Sequence, residues 1–211
     1  MGEPLTELHA FYRGLLDLHG VTHQGVGWAD RRTPAEGREA FEAHANAILD
    51  VRRRKGPCTM LDFGCGWGAL QDLIFERSLP IDYTGLDISE TAIAAARERF
   101  PYGRFICSDI RVDGAPGVYD YAVANGVFAC RRGVNHEDFL DFMHDTVLDL
   151  FEATRVGVAW NVLSSHVDYE TDDWLHVPFD AMAEFVQTLT RSYTFRADYR
   201  WPSYTVYAYH E

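Results

Sequence analysis

From residue 58 onward the chain alternates short apolar runs with helical periods, and that alternation admits few folds. Thr59–Phe63, Ile81–Leu86, Arg104–Cys107, Tyr119–Ala124 and Arg155–Val162 read as strands. Between them lie a helix ending near Phe75, an alanine-rich helix that Ser89 caps, and a long one that Asn135 caps. Strands and helices in this rhythm predict a parallel, doubly wound α/β sheet, Rossmann-like, with helices on both faces. The C-terminal end breaks the rhythm. After a last helix carrying Met182, Phe185, Val186 and Leu189, two runs, Tyr193–Tyr199 and Tyr204–Tyr209, are joined only around Trp201 and Pro202. A link that short holds no crossover helix, so these two strands must be antiparallel to each other.

The first 55 residues have another texture. Leu5, Leu8, Phe11, Tyr12, Leu15 and Leu16 form a helical stripe that Gly20 closes. A glycine-rich loop follows with one large aromatic, Trp28, and its Gly25-Val26-Gly27 run reads as a hinge. Thr33, Pro34 and Glu36 open a second helix as a capping box, and Arg52, Arg53, Arg54 and Lys55 sit at its C-terminal end, complementing the helix dipole. Residues 1–55 are expected to be a helical cap within the same domain as a core spanning 56–211. A chain of 211 residues that is 47% hydrophobic can bury one large core unaided.

Charge narrows the function classes. With 19 basic and 32 acidic residues the net charge is −13, which counts against a nucleic-acid partner and favours neutral or cationic small ligands. Cys58, Cys65, Cys107 and Cys130 stand singly with no CxxC spacing, so they read as reduced thiols. The N-terminal stretch MGEPLTELHAFYRG lacks a signal-peptide pattern, and no apolar run approaches membrane-spanning length. The expectation is a cytoplasmic protein without a membrane partner.

The strongest chemical signal is Leu61-Asp62-Phe63-Gly64-Cys65-Gly66-Trp67-Gly68 at the end of the first strand. Glycines there let a ligand approach the backbone, and the next helix offers free N–H groups. Gly64, Gly66 and Ala69 also satisfy the dinucleotide pattern GxGxxG/A, so the loop alone is ambiguous. Three carboxylates sharpen it. Asp87 ends the second strand, where it can accept hydrogen bonds from two ribose hydroxyls. Asp109 follows the third strand, placed to meet an adenine amino group, and Asp62 precedes the glycines, placed to act on an ammonium. A pyrophosphate is ill matched to so acidic a site, whereas S-adenosylmethionine carries an ammonium and a sulfonium.

The run LDFGCGWG, followed by YTGLDIS, SDI and YDYAVANGVF, resembles the class I S-adenosylmethionine-dependent methyltransferases over residues 58–211. The resemblance implies a seven-stranded sheet of order 3-2-1-4-5-7-6 ending in the antiparallel hairpin. It implies that Gly64, Cys65 and Gly66 contact the methionine part through backbone, that Asp87 holds the ribose and that Ile88 flanks the adenine. Asp109 and Ile110 would set the adenine edge, Asn125 would close the site, and Trp28 would join it from the cap. No Asn-Pro-Pro-aromatic signature and no catalytic-cysteine motif follows the fourth strand, where the chain reads ANGVFA.

Acceptor residues are sought at the carboxyl ends of strands four and five, where open α/β sheets bind ligands. Phe128, Asn161, Ser164, His166 and Trp174 are the candidates there. His166 is the first choice of general base and His23 the second. The 15-residue connection 164–178 also carries Asp168, Glu170, Asp172 and Asp173, but their spacing fits no calcium loop, and no metal is expected. The resulting reading is methyl transfer from S-adenosylmethionine to an oxygen or nitrogen of a small metabolite, in a biosynthetic tailoring role. Cyclisation of the cofactor, a non-catalytic cofactor-binding module and a nicotinamide oxidoreductase stay open as alternatives, as does the oligomeric state.

Overall fold

Two helices, α1 (Glu3–His19) and α2 (Pro34–Leu49), precede the sheet. The structure is a computed structural model and describes residues 3–28, 33–53 and 56–211; the side chains of residues 3–9 and of Pro34 are not described. The expected roles of Leu5 and Leu8 on the first stripe, and of Arg54 and Lys55 in the basic run, lie outside the described residues. Then follow β1 (Cys58–Phe63), α3 (Ala69–Glu76), β2 (Ile81–Asp87), α4 (Glu90–Arg99), β3 (Arg104–Cys107), α5 (Ile110–Asp113), β4 (Tyr119–Ala124), α6 (His136–Glu152) and β5 (Thr154–Ser164). The chain ends with β6 (His176–Val177), α7 (Phe179–Leu189), β7 (Ser192–Arg196) and β8 (Ser203–Tyr209).

The sheet runs β3-β2-β1-β4-β5-β8-β7, which is the expected order once the additional β6 is numbered. β1 to β5 are parallel, β8 is antiparallel to β5, and β7 is antiparallel to β8. β6 is a two-residue strand paired with the far end of β5 through Leu163–His176 and Ser164–Val177. It lies inside the connection read from sequence as a plain loop, because two residues carry no period to detect.

Alternation along the strands divides the core into two layers. Leu61, Trp160, Tyr204 and Val206 face α6 and α7, where Phe139, Met143, Val147, Met182 and Val186 are buried. Met60, Ala159, Tyr207 and Tyr209 face the other way, onto Phe41, Ala45, Ile48 and Leu49 of α2 and Leu70 and Ile93 of α3 and α4. The capping box at Thr33 forms: its N–H donates to Glu36 Oε2 at 2.9 Å, and its Oγ1 accepts from Glu36 N at 3.3 Å. α2 is thus a layer of the sheet rather than a cover, while α1 and the loop after it lie over the strand ends. Of the basic run, Arg53 stacks on the Tyr209 ring at 3.5 Å and Arg52 donates to the Gly56 carbonyl at 3.2 Å.

The strand order reverses between β1 and β4, so a crevice opens past their carboxyl ends. Both glycine-bearing turns of the site, after Phe63 and after Asn125, lie at that point.

Candidate cofactor and acceptor sites

The turn after β1 is shaped by left-handed backbone. Gly64 has φ +71° and Gly66 φ +55°. A Cβ on Gly64 would sit 2.5 Å from Val127 Cγ2, so the close approach as well as the dihedral requires glycine. The Gly64 and Cys65 amides both donate to the Leu86 carbonyl, at 2.8 and 3.1 Å, which ties the turn to β2. Asp87 completes the tie. Its Oδ2 accepts from Gly66 N at 2.9 Å and its Oδ1 from Ser89 N at 2.8 Å, while Ser89 Oγ caps α4 through Ala92 N. The carboxylate expected to hold a ribose therefore also fixes the loop.

These residues line a cavity of about 480 Å³. Asp62, Gly64, Cys65, Gly66, Asp87, Ile88, Asp109 and Asn125 are on its wall, with Trp28, Val26, Leu16 and Tyr12 closing it from the N-terminal side. Asp62 is only 2% exposed, and its Oδ2 accepts from the Tyr83 hydroxyl at 2.6 Å. Burial pushes its carboxyl up to about 7 despite that hydrogen bond, and the Asp87 charge adds to the rise. Burial, with the charges of Asp87 and Asp62, likewise raises the Cys65 thiol well above its ordinary range. Arg13 and Arg111 also line this cavity, but the groups that act on the buried Asp62 carboxyl are Tyr83 and Asp87.

Several expected residues sit elsewhere. Ile110 is buried at 1% in the core beneath the cavity, because Asp109 caps α5 and turns the next side chain inward. Arg111 takes its place on the wall, with Nη2 2.8 Å and Nε 3.1 Å from the two Asp109 oxygens. Asp109 is thus on the wall but held in an ion pair. His23 lines neither cavity. It packs behind the glycine turn, 4.8 Å from the Phe41 ring and 5.6 Å from Trp67, and burial followed by the Arg38 charge lowers its pKa. At Gly25 a Cβ would meet the Gly20 carbonyl oxygen at 2.1 Å, so the close approach requires glycine there. Trp67 donates from Nε1 to the Thr22 carbonyl at 3.0 Å and so anchors that loop.

A second cavity of about 630 Å³ lies beside the first and shares Tyr12, Val26, Trp28 and Gly126 with it. Trp28 is the partition. Its indole lies against Gly126, whose φ is +78° and whose Cβ would come within 2.6 Å of Cζ2. Asn161, His166 and Trp174 line this second cavity as expected candidates. Phe128 and Ser164 do not. Phe128 is fully buried against Phe63 and Phe142, because the Gly126 turn sends Val127 to the smaller cavity and the next side chain into the core. Ser164 is 7% exposed and its Oγ accepts from His166 N at 3.0 Å. Asn161 holds Gly126 N through Oδ1 at 2.8 Å and donates from Nδ2 to Asn125 Oδ1 at 2.7 Å.

Sequence reasoning missed His44, His176 and Ser203 on this wall. His44 is 7% exposed on α2, with Nδ1 2.7 Å from the Ala40 carbonyl and Nε2 2.6 Å from Ser203 Oγ. Ser203 is 159 positions away in sequence, a pairing that no local pattern reveals. Of the acidic residues in 164–178 only Asp168 reaches the wall. Among the described residues no three His, Cys, Asp or Glu side chains gather as metal ligands do, and no helix is long and apolar enough to cross a membrane.

Comparison with known proteins agrees with this geometry. Residues 61–148 match a family model described as a methyltransferase domain. A protein of Mycobacterium tuberculosis named as a methyltransferase is 37% identical over 116 residues, which is 53% of this chain and 67% of that one. The trans-aconitate 2-methyltransferase of Rhodopseudomonas palustris is 34% identical over 105 residues, covering 50% of this chain and only 38% of the relative. Among solved structures, magnesium protoporphyrin IX methyltransferase from Synechocystis PCC 6803, determined with bound S-adenosylmethionine, superposes with a TM-score of 0.65 at 14% identity, over 96% of this chain and 97% of its own. Its fold is the one described above. With the glycine turn, the acidic followers and the sheet order in agreement, the chain belongs to the class I S-adenosylmethionine-dependent methyltransferases.

Proposed function

We propose that the protein transfers a methyl group from S-adenosylmethionine in the smaller cavity to an oxygen or nitrogen of a small metabolite in the larger one. The observation that carries this reading is the shared wall: the two cavities adjoin at Trp28 and Gly126, so a sulfonium methyl and an acceptor atom can be brought together at their junction. An acceptor cavity of 630 Å³ favours transfer between molecules over cyclisation of the cofactor or a purely sensing role.

Within the smaller cavity Asp87 would hold the ribose hydroxyls, Ile88 would cover the adenine, and the glycine-turn amides and Asp62 would meet the methionine part. The cofactor supplies an activated methyl on a cationic sulfur. The chain supplies alignment and exclusion of water, the two terms that dominate an in-line displacement. A small acceptor fits the net charge of −13 and the cover formed by α1 and 164–178. Trans-aconitate, named for one relative, supports a small-molecule acceptor as a class. Four free cysteines suit a reducing, cytoplasmic setting, and a tailoring step in biosynthesis fits a roomy, aromatic acceptor cavity.

The test is calorimetry with S-adenosylhomocysteine, followed by a labelled-methyl screen of pooled phenols, amines, sugars and small acids against tRNA, DNA and histones. Binding with label in a small-molecule pool is expected. Label in a macromolecule alone would refute the acceptor class.

A further inference from the structure

We propose that His176 is the general base of this enzyme and that the acceptor it serves is an aryl hydroxyl, a flat phenol-class molecule. The inference rests on the larger cavity being the acceptor site. Its floor is the far end of β5, where Leu163 pairs with His176 of β6 on one side and with Ser203 of β8 on the other. The polar atoms on these flanks are fixed by their partners. His176 Nδ1 lies 2.8 Å from the Ser164 carbonyl, an acceptor only, so the neutral ring carries its proton on Nδ1 and its lone pair on Nε2. That Nε2 has no protein partner among the described residues. Across the floor, His44 Nδ1 lies 2.7 Å from the Ala40 carbonyl and its Nε2 2.6 Å from Ser203 Oγ. The His176 flank therefore asks for a ligand that donates a hydrogen.

His166 is less suited to the role. The residue is exposed, its ring stacks on Phe179 at a centroid distance of 5.8 Å, and among the described residues no hydrogen bond holds that ring. Three indoles, those of Trp28, Trp174 and Trp201, give the cavity its flat walls. Among the described residues no lysine or arginine lines it and Asp168 does, which favours a neutral acceptor over a carboxylate. An aryl hydroxyl satisfies every term: a flat ring, a neutral ground state and a proton acidic enough for imidazole to take as the oxygen attacks. In the step, the O–H proton passes to Nε2 of His176 and the oxygen's electron pair forms the new O–CH3 bond. The breaking S–CH3 bond leaves its pair on sulfur, and His176 returns its proton to water.

The experiment uses phenols of graded acidity, from 4-methoxyphenol to 4-nitrophenol, at one pH where only the last is largely ionised. Wild type, His176→Ala, His176→Gln and His166→Ala are compared, each first checked for S-adenosylhomocysteine binding. Both His176 variants should lower kcat/KM for 4-methoxyphenol by roughly 100- to 10,000-fold but for 4-nitrophenol by less than about threefold, while His166→Ala stays within about threefold throughout. Without turnover, the visible phenolate band of 4-nitrophenol bound to the S-adenosylhomocysteine complex should persist at lower pH in wild type than in His176→Ala. Equal losses across the series would make His176 structural and overturn the proposal. So would methylation of carboxylic acids or amines with no phenol bound. Failure to bind S-adenosylhomocysteine at all would instead sink the underlying assignment of the two cavities.

Discussion

Replacing Asp62 by Asn should stabilise the empty protein at alkaline pH, and the size of the gain follows from burial. An unfolded aspartate titrates near 3.9, whereas in the fold burial lifts Asp62 to about 7. Between those values the folded state holds a proton that the unfolded state has released, so stability falls as pH rises through the window and stays low above it. A shift of about 3 units corresponds to about 4 kcal/mol as an upper bound. Asn mimics the protonated acid, since its Oδ1 can still accept the Tyr83 hydroxyl that Asp62 accepts at 2.6 Å. Urea unfolding of both proteins from pH 4.5 to 8.5 isolates the effect, because His23 and His144, which burial depresses, contribute equally to each. The difference in stability, Asp62→Asn minus wild type, should be about 1 kcal/mol at the acid end and grow with pH to as much as about 4 kcal/mol. A difference that does not change with pH would refute the reasoning. The same variant should bind S-adenosylhomocysteine more weakly at pH 8, since the ionised carboxylate is what an ammonium would meet.

Asp87→Ala removes the acceptor of the Gly66 and Ser89 amides as well as the proposed ribose contact, so cofactor affinity should fall by roughly 30- to 1000-fold in calorimetry; a value within threefold of wild type would contradict the assignment. Gly126→Ala combines a strained φ of +78° with a Cβ 2.6 Å from the Trp28 ring, and should cost about 1–3 kcal/mol in urea unfolding with a shift in tryptophan emission. Phe128→Ala should cost about 3–5 kcal/mol yet leave the cofactor affinity of the folded fraction unchanged, and a large affinity loss at full stability would return Phe128 to the site.

What the sequence made legible was local in the chain. The parallel α/β rhythm followed from run spacing, the antiparallel close from the short link at Trp201 and Pro202, and the sheet order from the family resemblance, while Asp62, Asp87 and Asp109, at or just past the strand ends, do lie on one cavity wall. What escaped it depended on direction. After Gly126 the chain turns through a left-handed dihedral, so two adjacent side chains diverge and Phe128 goes to the core. Ile110 was misplaced for a similar reason, because capping by Asp109 rotates it inward and brings Arg111 to the surface of the cavity. The larger cavity was the least legible part. Its walls come from α1, α2, the end of β5, the 164–178 segment and β8, which meet only after the antiparallel β8 is laid against β5.

That distribution has a consequence for how the two sites can vary. The smaller cavity is built chiefly on the ends of β1, β2 and β4, whose amides and carboxylates hold one another through Leu86, Gly66 and Ser89. A change there disturbs the turn as well as the ligand. The larger cavity takes much of its wall from segments outside the parallel strands, and several of its side chains, such as His166 and Asp168, are exposed and bear no part of the core. Substitutions at those positions can alter which acceptor fits at little cost in stability. Asn161 is the exception, because its amide joins the two: it fixes Gly126 beneath Trp28 and orients Asn125 at the cofactor wall. If the larger cavity holds the acceptor, the choice of acceptor is therefore free to change around Asn161 but not at it.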